Sequence, residues 1–305
     1  MKPSAFDYRR PEQLDEAIDL LGELGPDAKV LAGGQSLLPL LSMRLAAPKH
    51  LLDINRIAQL DFVSCGADGV RVGALARHAA LERDAGARAV QPLLSAALAM
   101  VAHPTIRNRG TTVGSIVHAD PAAEMPAVLC LLGGSITAMS TNGQRIICAS
   151  EFFLGPLESA LWESELAVEA FFPALPPQSG TAFAEISRRH GDYAVCGVAG
   201  LVTLDDDLRI SVARAGYLSV SATPLVLDLT DAVSGRTFDG DLSAAGGLAS
   251  AAVDPEPDIH ATADYRRHLV GVLTNRVIVG AAHRAAREIT GNGATQALPM
   301  PGAQP

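Results

Sequence analysis

The chain has 305 residues, 48% hydrophobic and 19% charged, with a formal net charge of −9. That balance describes a soluble globular protein of two or three domains and argues against nucleic acid or an anionic membrane as the main partner. Cys65, Cys130, Cys148 and Cys196 stand too far apart for a zinc knuckle or an iron–sulfur loop. Each lies in an apolar stretch, where a thiol acts as a small hydrophobe.

The N-terminus, MKPSAFDYRR, lacks the apolar core of a secretory signal, and AVLCLL at 127–132 is far too short to span a bilayer. The expected compartment is the cytoplasm. Leu14, Ala17, Ile18, Leu21 and Leu24 share one face, which predicts a helix from Pro11 to Leu24, stopped by Gly25-Pro26. Lys29 to Ala32 reads as a short buried strand. A glycine loop follows in VLAGGQSLLPLL, and Ser36 to Arg44 reads as a helical segment despite Pro39. His50 to Ile54 is the next strand. Two adjacent glycines open φ > 0 and remove side-chain bulk, so a phosphate can approach the peptide N–H groups closely. A plain turn is the alternative.

Gly69 to Leu75 predicts another strand, and Pro92 to Ala102 an alanine-rich helix. In RNRGTTVGSIVHADPAAEMPAV, residues 107–128, a strand is expected over Thr111 to Val117, broken at His118-Ala119-Asp120-Pro121. A helix then runs to Leu132, with Asp120 as its N-cap. From 134 to 217 the pattern is β-rich, with turns at Asn142-Gly143 and Asp205-Asp206-Asp207. PALPPQSG at 173–180 is the best internal boundary. Helices return after 221 and end in a long amphipathic one near 262–287. The tail GNGATQALPMPGAQP reads as disordered.

No GxxxxGK[ST] follows a strand and no proper GxGxxG follows the first one, which excludes a P-loop NTPase or a Rossmann dehydrogenase. Instead two loops, 32–36 and 110–115, are rich in glycine and hydroxyl groups. They can wrap a pyrophosphate through main-chain N–H donors, Ser36, Thr111 and Ser115, without a lysine clamp. Locally, Tyr193 reads as a core side chain, Arg188 and Arg189 as a solvated strand end, and His118 as a ligand neighbour or a capping histidine.

AGGQSLLPLL, RLAAPKHLLDIN, IRNRGTTVGSIVHADPAAEMPAV and ISRRHGDYA, in that order over about 1–290, resemble the FAD-binding medium subunit of the molybdenum hydroxylases. That family includes xanthine dehydrogenase, carbon monoxide dehydrogenase, quinoline oxidoreductase and nicotine dehydrogenase. The resemblance implies an α+β protein: a two-lobed FAD-binding fold of the vanillyl-alcohol-oxidase/PCMH type, plus a C-terminal lobe of small antiparallel sheet and helices. The lobes fall at 1–57, 58–177 and 178–290, with 291–305 as the tail.

By motif matching, Ala32, Gly33, Gly34, Gln35 and Ser36 cradle the pyrophosphate, with Lys29, Val30 and Leu31 leading in. Thr111, Gly114 and Ser115 contact the phosphates or the flavin side. Asp120 and Glu124 lie near the ribose or adenosine. Leu166 and Ala167 approach with backbone groups, and Asp192-Tyr193 sits near the isoalloxazine. Val113 stands where relatives carry glycine, and Ala184 where some carry lysine. His103 before Pro104 is not a flavin-linking residue, because the family binds FAD non-covalently.

The resemblance further implies an electron-transfer subunit with no metal of its own. A small 2Fe–2S subunit and a large molybdopterin subunit are the expected partners, in a dimer of heterotrimers serving an external acceptor. The substrate class is N-heteroaromatic, with carbon monoxide or an aldehyde as the alternative. A self-contained FAD oxidase and a scaffold without flavin are the readings from other classes.

Overall fold

The structure, a computed structural model, describes residues 2–291; beyond Gly291 the expected tail lies outside the described residues. Three parallel strands, β1 (Asp7–Arg9), β2 (Ala28–Leu31) and β3 (His50–Asp53), pair in the order β1-β3-β2. Helix α1 (Leu14–Leu24) buries Ala17, Ile18 and Leu21, as the spacing requires, and starts after Gln13 rather than at Pro11. Helix α2 (Leu37–Ser42) tolerates Pro39 because an N–H in the first turn has no intrahelical acceptor anyway. The sequence gives no sign of β1, whose three residues are exposed and are held by backbone pairing with β3.

Strands β4 (Val63–Gly66) and β5 (Gly69–Gly73) open a second sheet. Six helices interrupt it: α3 (His78–Arg83), α4 (Ala85–Val90), α5 (Pro92–Leu98), α6 (Pro104–Arg107), α7 (Thr112–His118) and α8 (Glu124–Leu132). The chain returns through β6 (Ser135–Ser140) and β7 (Gly143–Cys148) and the short α9 (Ala149–Phe152). The small hairpin β8 (Phe153–Gly155) and β9 (Glu158–Ser159) follows, and then β10 (Leu166–Pro173). The resulting antiparallel sheet has the order β4-β5-β10-β6-β7. One continuous core joins it to the first sheet, with Leu52, Ile54, Val70, Val72, Ile136 and Phe172 fully buried.

A meander of β11 (Ser179–Ser187), β12 (Ala194–Leu204), β13 (Ile210–Leu218) and β14 (Leu225–Asp228) forms the third sheet. After α10 (Thr230–Val233) and α11 (Ser243–Ala252), the long α12 (Ala263–Ile289) lies across β11 and β12. Its Leu269, Leu273, Val277, Ile278, Ala281 and Ala285 fill a second core, where small alanines let helix and sheet approach closely.

Three expectations fail for physical reasons. Residues 112–118 form α7, not a strand: Thr111 Oγ1 accepts the Gly114 N–H at 3.1 Å, an N-cap that starts a helix in a β-branched run. Asp120 does not cap α8. Its carboxylate accepts the Ala122 N–H at 2.9 Å in a local turn, and α8 starts two residues later at Glu124. Cys65 and Cys148 are exposed rather than core, because each sits on an edge strand, whereas Cys196 is buried.

Arg266 ties α12 to the third sheet. With 7% of its surface exposed, it donates to Val195 O at 3.0 Å and Ser219 O at 2.6 Å, and pairs with Asp258. Replacing it strands two carbonyls and an acid. Arg266→Leu is expected to lower stability by about 3 kcal/mol, seen as a lower midpoint in urea unfolding.

Candidate functional site

β2 and β3 run parallel, so their C-terminal ends, Leu31 and Asp53, open on the same side. In parallel sheets that end is where ligands settle, since the connecting loops there present free backbone groups. A cavity of about 350 Å³ lies at this point, lined among others by Gly33, Gly34, Asn55, Arg77, Asn108 and Arg109.

The two glycine loops meet backbone to backbone. A methyl group on Gly33 would lie 2.5 Å from Arg109 O and 2.8 Å from the Gly110 Cα, so no side chain fits between them. Gly34 adopts φ +73° against Leu31 and Leu38, a conformation that favours glycine. Gln35 braces the turn by donating to Gly33 O at 3.0 Å. The N–H groups of Gly33, Gly34, Gln35 and Ser36 donate to no acceptor among the described residues.

A polar chain locks this contact. The Tyr8 hydroxyl donates to Asp53, whose other oxygen accepts from the Asn55 N–H at 2.9 Å and its amide at 2.6 Å. The Asn55 amide also donates to Ala32 O at 2.8 Å. Arg77 then donates to Asn55 Oδ1 and to Arg109 O, both at 2.6 Å, so a single guanidinium holds both loops. Burial pulls the Asp53 carboxyl upward, but the Tyr8 hydroxyl and the Asn55 N–H groups hold it below its usual value. None of Asp53, Asn55, Arg77 and Arg109 is evident from the glycine motifs. The available signal was Asp53-Ile54-Asn55 directly after a buried strand.

The second loop is supported from below. His78 N donates to Gly110 O at 2.9 Å, and its ring, pushed down to about 4 by burial and then Arg107, bonds Thr112 Oγ1 at 3.1 Å. Gly114 is required by the cap, since a methyl group there would lie 2.5 Å from Thr111 Oγ1. Ser115 follows on α7, half-buried.

At the far end of α7, about 10 Å away for seven residues, Ala119 turns left-handed. Leu157 N binds Ala119 O at 2.9 Å and Ser219 N binds Pro121 O at 2.8 Å, so the β8–β9 hairpin and the third sheet both clasp this turn. Here acidic groups gather. Burial, then Asp120, pushes Glu124 up to about 7, and burial with Glu124 pushes Glu185 up to about 8. Tyr193 is 68% exposed rather than core, and partial burial, then Asp120 and Glu124, raises its phenol. Glu185 Oε2 and Asp192 Oδ2 are buried without a hydrogen-bond partner, although Arg188 stands 3.8 Å from Asp192.

The structure thus brings residues 32–36 to 109–111, and Asp120 and Glu124 to Tyr193. Leu166 and Ala167 are buried at the start of β10, beside α7, where the pairing register with β6 shifts. Lys29 is exposed on β2 and does not line the cavity, while Val30 and Leu31 lead into it. Among the described residues no group of three or more His, Cys, Asp and Glu could hold a metal ion, and no helix is long and apolar enough to cross a membrane.

Residues 4–175 match the family described as FAD binding domain in molybdopterin dehydrogenase, and residues 181–281 that described as CO dehydrogenase flavoprotein C-terminal domain. The 6-hydroxypseudooxynicotine dehydrogenase complex subunit alpha of Paenarthrobacter nicotinovorans is 41% identical, over 93% of this chain and 97% of that protein. Caffeine dehydrogenase subunit beta of Pseudomonas sp. (strain CBB1) gives the same identity and coverage. Among solved structures, carbon monoxide dehydrogenase from Hydrogenophaga pseudoflava superposes with a TM-score of 0.88 at 35% identity, over 93% of this chain and 99% of that one.

The acidic corner sets a pH dependence. Glu124 and Glu185 retain protons in the folded chain that carboxyls of ordinary pKa 4.5 release on unfolding. Their stabilisation is complete below pH 4.5 and is lost as pH rises through about 7 and then about 8. Glu185→Gln keeps the neutral form at every pH. In the ligand-free chain it is expected to raise the melting temperature at pH 9 and leave it unchanged at pH 4, measured by calorimetry.

Proposed function

Because the chain belongs to the FAD-binding medium subunits of the molybdenum hydroxylases, we propose that its glycine-loop cavity and acidic corner hold one FAD non-covalently along α7. The chemistry of the donor set supports this. Unpaired N–H groups at Gly33 to Ser36 suit a diphosphate, and the orphaned oxygens of Glu185 and Asp192 suit ligand hydroxyl and N–H donors. On this reading Ala32 to Ser36 cradle the diphosphate, and Thr111, Gly114 and Ser115 contact the phosphates or the flavin side. Asp120 and Glu124 take the sugar or adenosine portion. Leu166 and Ala167 contribute backbone, and Asp192 with Tyr193 covers the isoalloxazine. The Thr111 hydroxyl accepts the cap bond and still has its proton to donate.

Bound there, FAD supplies the redox chemistry, accepting electrons from 2Fe–2S clusters on a small partner subunit and passing them to an external acceptor. The chain's own part is orientation and exclusion of water. Loop contact at Gly33 fixes the diphosphate end, and the clasped turn at Ala119 to Ala123 fixes the other. Substrate oxidation takes place on a large molybdopterin subunit, in a cytoplasmic dimer of heterotrimers. Lobes at 1–57, 58–177 and 178–290 follow the three sheets. An N-heteroaromatic substrate is supported by the 41% identity to a caffeine dehydrogenase subunit, which exceeds the 35% to the carbon monoxide dehydrogenase chain.

The single observation carrying the reading is the backbone contact at Gly33, with unpaired N–H groups beside it. The purified chain is expected to carry acid-releasable FAD in a one-to-one ratio, with no iron or molybdenum. It should oxidise no heterocycle alone but show substrate-dependent flavin bleaching once both partner subunits are added. Turnover by the isolated chain would favour the self-contained oxidase. Gly33→Ala, which forces the loops apart, is expected to weaken FAD retention by at least about tenfold in fluorescence titration, since spoiling one such contact costs about 1.4 kcal/mol or more.

A further inference from the structure

Two guanidinium groups line the glycine-loop cavity, and only one of them is engaged. Arg77 donates to Asn55 Oδ1 and Arg109 O from its two terminal nitrogens. Arg109, by contrast, holds the loop with its carbonyl alone; its exposed side chain makes no hydrogen bond or ion pair among the described residues. Asp53, whose carboxylate also lines the cavity, accepts from Tyr8 and from both Asn55 N–H donors and forms an ion pair with neither guanidinium among the described residues. Burial first, and then the Arg109 charge, pulls Arg77 below its usual value, although Asp61 and Asp53 oppose this. The two cations therefore feel each other across the cavity. In a chain of net charge −9, this cavity gathers two guanidinium groups against one carboxylate, beside the unpaired backbone donors of Gly33 and Gly34.

We propose that Arg109, seated by the Arg77–Asn55 bridge, supplies the positive charge that the diphosphate of the bound dinucleotide meets at this cavity. The role rests on the FAD reading above and adds a residue just outside the glycine loops at 32–36 and 110–115. No lysine stands at this cavity, but an arginine does. An arginine suits a diphosphate because its planar fork of donors matches two phosphate oxygens at once. Arg77 uses one N–H of each terminal nitrogen on the loops, which fixes the plane of its fork. Arg109 is free to do it because its backbone carbonyl, not its side chain, carries the structural contact.

The test is titration of the full flavin-free chain with FAD and, separately, with riboflavin, which has no phosphate. Arg109→Ala is expected to raise the FAD dissociation constant by about tenfold, Arg109→Glu by more, and Arg109→Lys by less than alanine. Riboflavin binding should not change, and the weakening of FAD binding by salt should be shallower in Arg109→Ala than in the wild type. Because the backbone at 109 is kept in every variant, melting temperatures should match the wild type. FAD affinity unaltered in Arg109→Glu, while the wild type binds FAD, overturns this proposal and leaves the FAD reading standing. Equal weakening of FAD and riboflavin also overturns it, since that marks a loop lost rather than a charge. A wild-type chain that binds no FAD overturns the functional reading and this role together.

Discussion

Everything at this site depends on two stretches of backbone lying in direct contact. Gly33 meets Arg109 and Gly110 with no side chain between them. Bringing two loops so close strips water from their peptide groups, and that cost must be offset locally. The offset is the Asn55–Arg77 bridge, which satisfies Ala32 O on one loop and Arg109 O on the other. Charge-assisted bonds of this kind contribute about 1.5–3 kcal/mol each, enough to fix the spacing of the loops. The N–H groups of Gly33 to Ser36 are left over from this arrangement, and these leftover donors give the cavity its chemistry.

The rest of the architecture positions this contact and its counterpart. The first sheet delivers Leu31 and Asp53 side by side because its strands are parallel. The second sheet supplies the scaffold on which α3 and α7 carry Arg77, His78 and Thr112. Helix α7 sets the distance between cavity and acidic corner. The third sheet closes that corner through Ser219 on the turn and through Glu185, Asp192 and Tyr193.

Local chemistry was legible in the sequence wherever it stood alone. The glycine pair, α1 from its apolar spacing, the hairpin turn at Asn142-Gly143 and the β-rich stretch after 134 all follow from short-range patterns. Legibility failed where a tertiary partner decides. Thr111 to Val117 is β-branched enough to read as a strand, yet one hydroxyl cap and a buried seat make it helical. Tyr193 reads as core by type, but its side chain is exposed on the loop between β11 and β12. The bridge residues escaped because Asn55, Arg77 and Arg109 lie 22 and 32 positions apart, and no periodicity records such a meeting.

The clasp on the Ala119 to Ala123 turn bears on how the molecule comes into being. The glycine-loop contact is complete once residues up to about Thr112 are available, whereas the turn waits for Leu157 and then for Ser219, a hundred residues further on. Contacts of that sequence separation form late, because the intervening chain must be ordered first. During synthesis the nascent chain therefore has a finished diphosphate cradle well before it has the other end of the pocket. The third sheet acts as the latch that separates a half-built site from a finished one, and ligand capture becomes a report that the whole chain has folded.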